Sequence, residues 1–270
     1  MATAAAGGGE RGISIERIFG RAFGTIRANP LATLGIAFLF SAVPSVAINV
    51  FVQGVQGNPQ VVARVGVAGM VAFGLLMAAV GIVISAITQG ALVRATVAHN
   101  AGRESSLAES ASAGLVVIVP LFLVGLLVGL GVAFASILLL VPGLMLYCAW
   151  VVASPVVVAE RVWPLEAVSR SADLTRGARW KVFGLLLIMM VGYWIISAVV
   201  GLITVQMAGG LRGVAAMGAS RNLPIGVLVM SGIVQTIVAC IWGVVVSSLY
   251  VDLREWKDGP DSANLAEVFA

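Results

Sequence analysis

The chain has 270 residues, 60% of them apolar and only 10% charged, with a mean hydropathy of +1.07. Soluble domains carry roughly 25% charged residues, so a soluble globular domain is excluded. Uncharged apolar windows longer than ~18 residues point to membrane-spanning helices, not to the short alternating segments of a β-barrel. The net charge of +4 and pI near 9.6 do not indicate nucleic-acid binding, because the arginines are strung along span boundaries, where lipid headgroups are the natural partners.

In chain order, residues 1–12 read as a disordered tail, the first nine of them small and featureless; no basic segment precedes a short apolar core, as a secretory signal requires. Residues 13–29 form an amphipathic helix. Ile15, Ile18, Phe19, Ala22, Phe23 and Ile26 recur at helical spacing, with Arg17 and Arg21 opposite, the pattern of a helix lying at a membrane interface with its arginines among headgroups. Pro30 forces Asn29 out of the α region and ends it.

Six spans follow: 31–52, 65–93, 114–137, 142–159, 182–207 and 224–251. The third and fourth come from one uncharged stretch of fifty residues, Ser110 to Ala159, too long for a single span of ~20. Pro142-Gly143 is the expected break. Between the fourth and fifth spans, residues 163–179 form a second interfacial helix, with Glu166 and Arg170 as an i, i+4 pair, Leu165, Val168 and Ala172 as a narrow apolar stripe, and Gly177 as its end. Residues 260–270 form a C-terminal tail. The fold class is therefore all-α: a polytopic membrane protein of six transmembrane helices in three hairpins, with interfacial helices on the cytoplasmic side.

Orientation follows from Lys and Arg. With the N-terminus inside, thirteen of the sixteen fall on the cytoplasmic side, leaving only Arg64, Arg212 and Arg221 outside. Both termini are then cytoplasmic, in a cytoplasmic (inner) membrane. Tyr147, Trp150, Trp163, Trp180, Tyr250 and Trp256 sit near span ends, as interfacial rings do. A short pattern of a small or polar residue, an aliphatic and a nearby Glu recurs at Ser14, Ser106, Pro164 and Asn264, consistent with a repeated unit of one amphipathic segment and two spans.

Residues 141–188 together with 249–259 resemble the membrane domain associated with glycerophosphoryl diester phosphodiesterases. The resemblance rests on Pro142 and Gly143, on Glu160, Glu166, Ala167, Arg170, Ser171, Leu174 and Gly177, and on Tyr250, Asp252, Leu253, Arg254 and Gly259. It implies a membrane domain without the catalytic barrel, whose chemistry uses two histidines and metal-binding carboxylates. This chain has one histidine, His99, so no catalytic residue, metal site or cofactor is expected and the chain is read as non-enzymatic. Cys148 and Cys240 read as lone buried thiols, and two cysteines make no zinc site.

The six spans hold no Asp, Glu, Lys or Arg, which disfavours a proton-coupled carrier. Asn49, Gln53, Gln89, Gln206 and Gln235 are available for hydrogen bonds between helices, and Gly125-x-x-x-Gly129 for close helix approach. The candidate site is the cytoplasmic rim. Arg170, Arg176, Arg179, Lys181 and Arg254, with Glu160 and Asp252 as orienting partners, would cradle an anionic phospholipid headgroup, because guanidinium forks match phosphate. The blander reading is that they anchor topology. The expected function is lipid interaction or an accessory role in envelope lipid handling, with membrane phospholipids and a membrane or soluble protein as partners. The alternative is a transporter or facilitator for a lipid-like or small apolar solute, which a polar mid-membrane cavity around Asn49 and Gln235 would favour.

Overall fold

The structure, a computed structural model, describes residues 13–100, 118–210, 212–213 and 225–259. The N-terminal tail, the segment around 105–114 and the C-terminal tail lie outside the described residues. Among those described there is no β-strand, and six helices are long and apolar enough to cross a membrane: Thr33–Val55, Pro59–Thr96, Val119–Ile137, Val141–Glu160, Arg179–Met207 and Gly226–Asp258. We refer to these as spans 1 to 6. They match the hydropathy reading in number and order.

The helices are α1 (Ile15–Ala28), α2 (Pro30–Ala37), a π-helical turn (Phe38–Ala42), α3 (Val43–Gln56), α4 (Pro59–Asn100), α5 (Ile118–Leu138), α6 (Leu140–Trp150), α7 (Ala153–Glu160), α8 (Pro164–Thr175), α9 (Arg179–Met207) and α10 (Ile225–Asp258). As Pro30 predicts, α1 stops at Ala28, and Asn29 adopts φ −141° and ψ 69°. Span 1 is not one continuous α-helix. Pro44 has no N–H to give to the carbonyl of Phe40 four residues earlier, and the chain loosens into the π-helical turn just ahead of it. The Thr88 hydroxyl, from span 2, lies 2.8 Å from that Phe40 oxygen and 2.9 Å from the carbonyl of Ile84, so a single proton serves both. Only two residues, Gly57 and Asn58, separate α3 from α4. The Asn58 Oδ1 accepts from the N–H of Gln60 at 3.0 Å, and Pro59 takes the first helical position, where its missing N–H costs nothing. Within α4 the helix is interrupted at Gly66, with φ 64°, a conformation favoured by glycine.

The expected break in the uncharged stretch is present but lies three residues before Pro142. Leu139 is extended, with φ −160° and ψ 137°, which places Pro142 in the first turn of α6, where proline is tolerated. Gly143 lets the two helices close up: a Cβ there would lie 2.1 Å from Ser136 Oγ and 3.0 Å from its Cα. Of the two glycines expected to allow close approach, Gly125 faces Ile82 of span 2, 3.5 Å from where its Cβ would be, while Gly129 faces open space; Gly131 is closer still, its face covered by the Trp150 ring.

Span 6 packs most extensively against span 2 and against α2 with its π-helical turn, whereas spans 3 and 4 pack closely on each other. Span 5 touches only α6 and α10 to any extent and is largely exposed along its length. The buried core therefore gathers where α1, α4, α7, α8 and α10 meet, around Leu92, Val156, Leu174, Leu249 and Tyr250. Both cysteines are buried there.

Replacing Gly143 with Leu should force α5 and α6 apart. Overpacking of this kind costs about 1–3 kcal/mol. The variant should lose its monodisperse size-exclusion peak at a lower temperature than wild type, while Gly129→Leu should not.

Candidate functional site at the charged end of the bundle

The charges collect at one end. α10 runs to Asp258, beyond the expected limit of 251. At 34 residues it is ~51 Å long, well over the ~30 Å of a hydrocarbon core. Its last turns carry Asp252 and Glu255 out to meet α1. Arg17 donates from Nε to Asp252 Oδ1 at 2.5 Å and from its second nitrogen to Oδ2 at 3.1 Å, across 235 residues of sequence. One turn on, Arg21 makes a two-pronged pair with Glu255 at 3.1 and 3.0 Å. The hydrogen bond that Arg17 donates to Asp252 holds its guanidinium above the ordinary pKa, against the opposing pull of burial; it stays charged at any working pH.

The expectation for α1 did not include these partners: Arg17 and Arg21 pair with acidic residues of α10. Ile18, Ala22 and Thr25 make the buried face, and Phe23 is 55% exposed.

A second group joins spans 4 and 6 through α8. Glu160 accepts from the Tyr250 hydroxyl at 3.0 Å and from Arg170 Nε at 3.3 Å. Arg170 also reaches the Asp258 carboxylate. Burial lowers the Arg170 pKa, but Asp258 and Glu160 together outweigh it and the net direction is upward. The expected i, i+4 partner, Glu166, is exposed and not joined to Arg170. Tyr250 is no interfacial ring: it is 1% exposed, buried beneath this group. The face of α8 also differs from the expected stripe, because Leu165 is exposed while Pro164, Ala167, Val168, Ser171, Leu174 and Thr175 are buried. Ser171 and Thr175 donate to the carbonyl of Ala149, at 2.8 and 3.3 Å. That carbonyl lies in the last turn of α6, which has no intrahelical donor left for it. Gly177 ends α8 with φ +89°.

Of the seven residues expected to form the rim, the structure joins only Arg170 and Glu160 directly. Asp252 is taken by Arg17. Arg254 is half-buried beside the Tyr250 hydroxyl, and its Nε is buried without a hydrogen-bond partner among the described residues. Arg176 makes only an exposed contact of 3.8 Å with Asp173, an arrangement that contributes little. Arg179 and Lys181 are exposed and make no ion pair among the described residues. They open α9, whose N-cap, Ala178, offers no side-chain hydrogen bond. The first N–H groups of a 29-residue helix thus stand beside two cations, the arrangement that favours an anion.

Below this end lies an apolar crevice of about 620 Å³. Span 5 stands off from span 6, and Leu144 and Tyr147 of α6, Phe183 to Ile196 of α9, and Val238 and Trp242 of α10 form the walls. Phe19 of α1 covers it toward the charged end. No sequence signal marks it, since its lining is indistinguishable from ordinary lipid-facing residues.

The Arg17–Asp252 pair is asymmetric: the Asp252 side chain is 1% exposed and that of Arg17 37%. Arg17→Ala strands a buried carboxylate, whereas Asp252→Ala leaves a guanidinium that water can reach. We expect Arg17→Ala to cost about 2–3 kcal/mol, less than the 3–5 of a fully buried pair, and Asp252→Ala about 1 kcal/mol. Thermal denaturation of both variants and the double variant in detergent checks the order.

No family model, curated protein or solved structure matches the chain.

Proposed function

We propose that this chain is a non-enzymatic, multi-pass protein of a cytoplasmic (inner) membrane that holds a phospholipid, in an accessory role in envelope lipid handling. The observation carrying this reading is the crevice between spans 4, 5 and 6. Its volume is that of a ligand pocket. Along α9 it extends from Phe183 to Ile196, thirteen residues or ~20 Å, enough for the acyl chains of one leaflet at ~15 Å. The headgroup then meets Arg179, Lys181 and the uncapped N-terminus of α9. Arg170, Glu160 and Asp252 join helices to one another, so the headgroup site is narrower than the full set of rim residues.

In this reading the charged end faces the cytoplasm, as the distribution of Lys and Arg favours, and α1 and α8 lie near the interface, each leading a hairpin. Exposed Trp163, Trp180 and Trp256 suit that level of the membrane. Kinship with the phosphodiesterase-associated membrane domain belongs to the same proposal; its support is that Glu160, Arg170 and Tyr250, which carry the resemblance, meet in one hydrogen-bonded group. The crevice also suits a carrier of lipid-like or small apolar solutes. Mixing of a fluorescent phospholipid between leaflets of proteoliposomes separates the two, because a protein that only holds lipid leaves the leaflets unmixed.

Native mass spectrometry of the mildly solubilised protein is the direct test. Wild type should retain an anionic phospholipid, and Arg179→Ala with Lys181→Ala should lose it. Gly192 lines the crevice with open space at its Cβ, so Gly192→Leu should fill the crevice and expel the lipid. It should also gain about 0.8–1 kcal/mol of helix propensity, keeping the protein folded. Identical lipid retention in wild type and both variants would overturn the proposal.

A further inference from the structure

Well inside the membrane-spanning helices, one side of the bundle turns polar side chains outward. Span 1 carries Ser41, Ser45 and Asn49, and span 2 carries Gly81, Ser85 and Gln89, each set spaced four residues apart and so on one helix face. Span 6 adds Gln235 beside them. Asn49, Gly81, Ser85 and Gln235 are exposed, and Gln89 is half-buried. Gln235 lies nine residues, ~14 Å, inside the start of span 6 at Gly226, close to the middle of a ~30 Å hydrocarbon core. The polar residues around Asn49 and Gln235 thus lie on an open surface and do not enclose a cavity.

Lipid tails neither donate nor accept hydrogen bonds, so a polar group left facing them is costly. A carboxamide has two donors and an oxygen with two lone pairs, and few of these are used. Gln89 donates to Ser85 of its own helix at 3.0 Å, Gln235 reaches Ser41 at a long 3.4 Å, and Asn49 donates to the Ser45 carbonyl of its own helix at 2.8 Å.

The stripe Gly81–Ser85–Gln89 stands between two half-open grooves at the same depth. One, of about 250 Å³, runs between the stripe and span 6, over Ser41 and Ser45. The other, of about 370 Å³, lies toward Gly125 and Ser154 of spans 3 and 4. The stripe is therefore a ridge, and its small side chains let a neighbouring backbone come close. None of the described residues lining either groove is charged.

We infer that this face docks a second copy of the chain, span 2 against span 2, about a twofold axis along the membrane normal. A ridge beside a groove is complementary to itself after a half-turn, as an isologous interface requires: the stripe of each copy enters the first groove of the other. Such an axis preserves the direction of every span, so both copies keep one topology. Hydroxyls and carboxamides act as donor and acceptor alike. Ser85 and Gln89 of one copy thus meet Ser45 and Gln235 of the other, and each contact is made twice. A charged face would repel its own copy, and this one carries no charge. A lone helix of another protein would fill the groove but leave the ridge uncovered. The first groove shares only Val238 and Trp242 with the apolar crevice, and the pairing does not rest on the lipid reading.

The test is resonance energy transfer between donor- and acceptor-labelled full-length protein in liposomes, followed as the lipid-to-protein ratio rises. Wild type should show transfer well above that of randomly placed monomers. No atom lies within 4 Å of a Cβ built at Gly81, so Gly81→Leu leaves each bundle intact while blocking the ridge. Gly81→Leu and Gln235→Leu should each weaken association about tenfold, the second through two interhelical hydrogen bonds per dimer. Gly201→Leu, in equally open space on the exposed span 5, should leave it unchanged. A short thiol-specific cross-linker should join two copies of the Ser85→Cys variant and not of Gly201→Cys, since Cys148 and Cys240 are buried. Monomers in liposomes, transfer unchanged in both Gly81→Leu and Gln235→Leu, no cross-link through position 85, or pairing only with a different membrane protein would each overturn the proposal.

Discussion

A carbonyl released from its helix inside an apolar bundle has no water to turn to, and this constraint decides where the chain places its few hydroxyls. Pro44 releases the carbonyl of Phe40, and Thr88 arrives from the neighbouring span to take it. The end of α6 releases that of Ala149, and Ser171 and Thr175 arrive from α8. Each irregularity is thereby tied to a second helix. Span 1 is located on span 2 at the level of its π-helical turn, and α8 is seated in the orientation that delivers Arg170 to Glu160.

The ionic groups act at the other scale, joining segments that are far apart in sequence. Two arginines one turn apart on α1 meet two carboxylates nearly one turn apart on α10. Glu160 ties α7 to α8 and α10 together. These pairs consume most of the charge that a bare sequence offers as a headgroup site. Among the exposed cations that these pairs leave over, Arg179 and Lys181 lie where span 5 leaves the bundle. The loosest helix and the least engaged cations thus occur together, beside the crevice.

The spans were legible because a run of apolar residues has one stable outcome in lipid, and the end of α1 was legible because Pro30 acts on its immediate neighbour. The break at Leu139 was legible only to within a turn: proline marks a helix start as readily as a helix end, and Pro142 was read as the interruption when it sits in the first turn of the new helix. Pro44 was a signal left unread, since a proline inside an apolar run foretells a released carbonyl. The pairing of Arg17 with Asp252 had no local signature. Its two halves are 235 residues apart, and the nearby Glu166 offered Arg170 a plausible partner that the fold does not use. The apolar crevice was invisible for another reason, because it arises from the stand-off of span 5 and not from any residue type.

The joining of α1 to α10 also orders the protein's own manufacture. Arg17 and Arg21 leave the ribosome early, yet their carboxylates follow some 235 residues later. At the usual 5–20 residues per second this is a wait of roughly 10–50 s. Through that interval the two guanidinium groups are without the carboxylates that pair with them in the folded bundle. The docking of α1 on α10 can therefore only follow the synthesis of the final span.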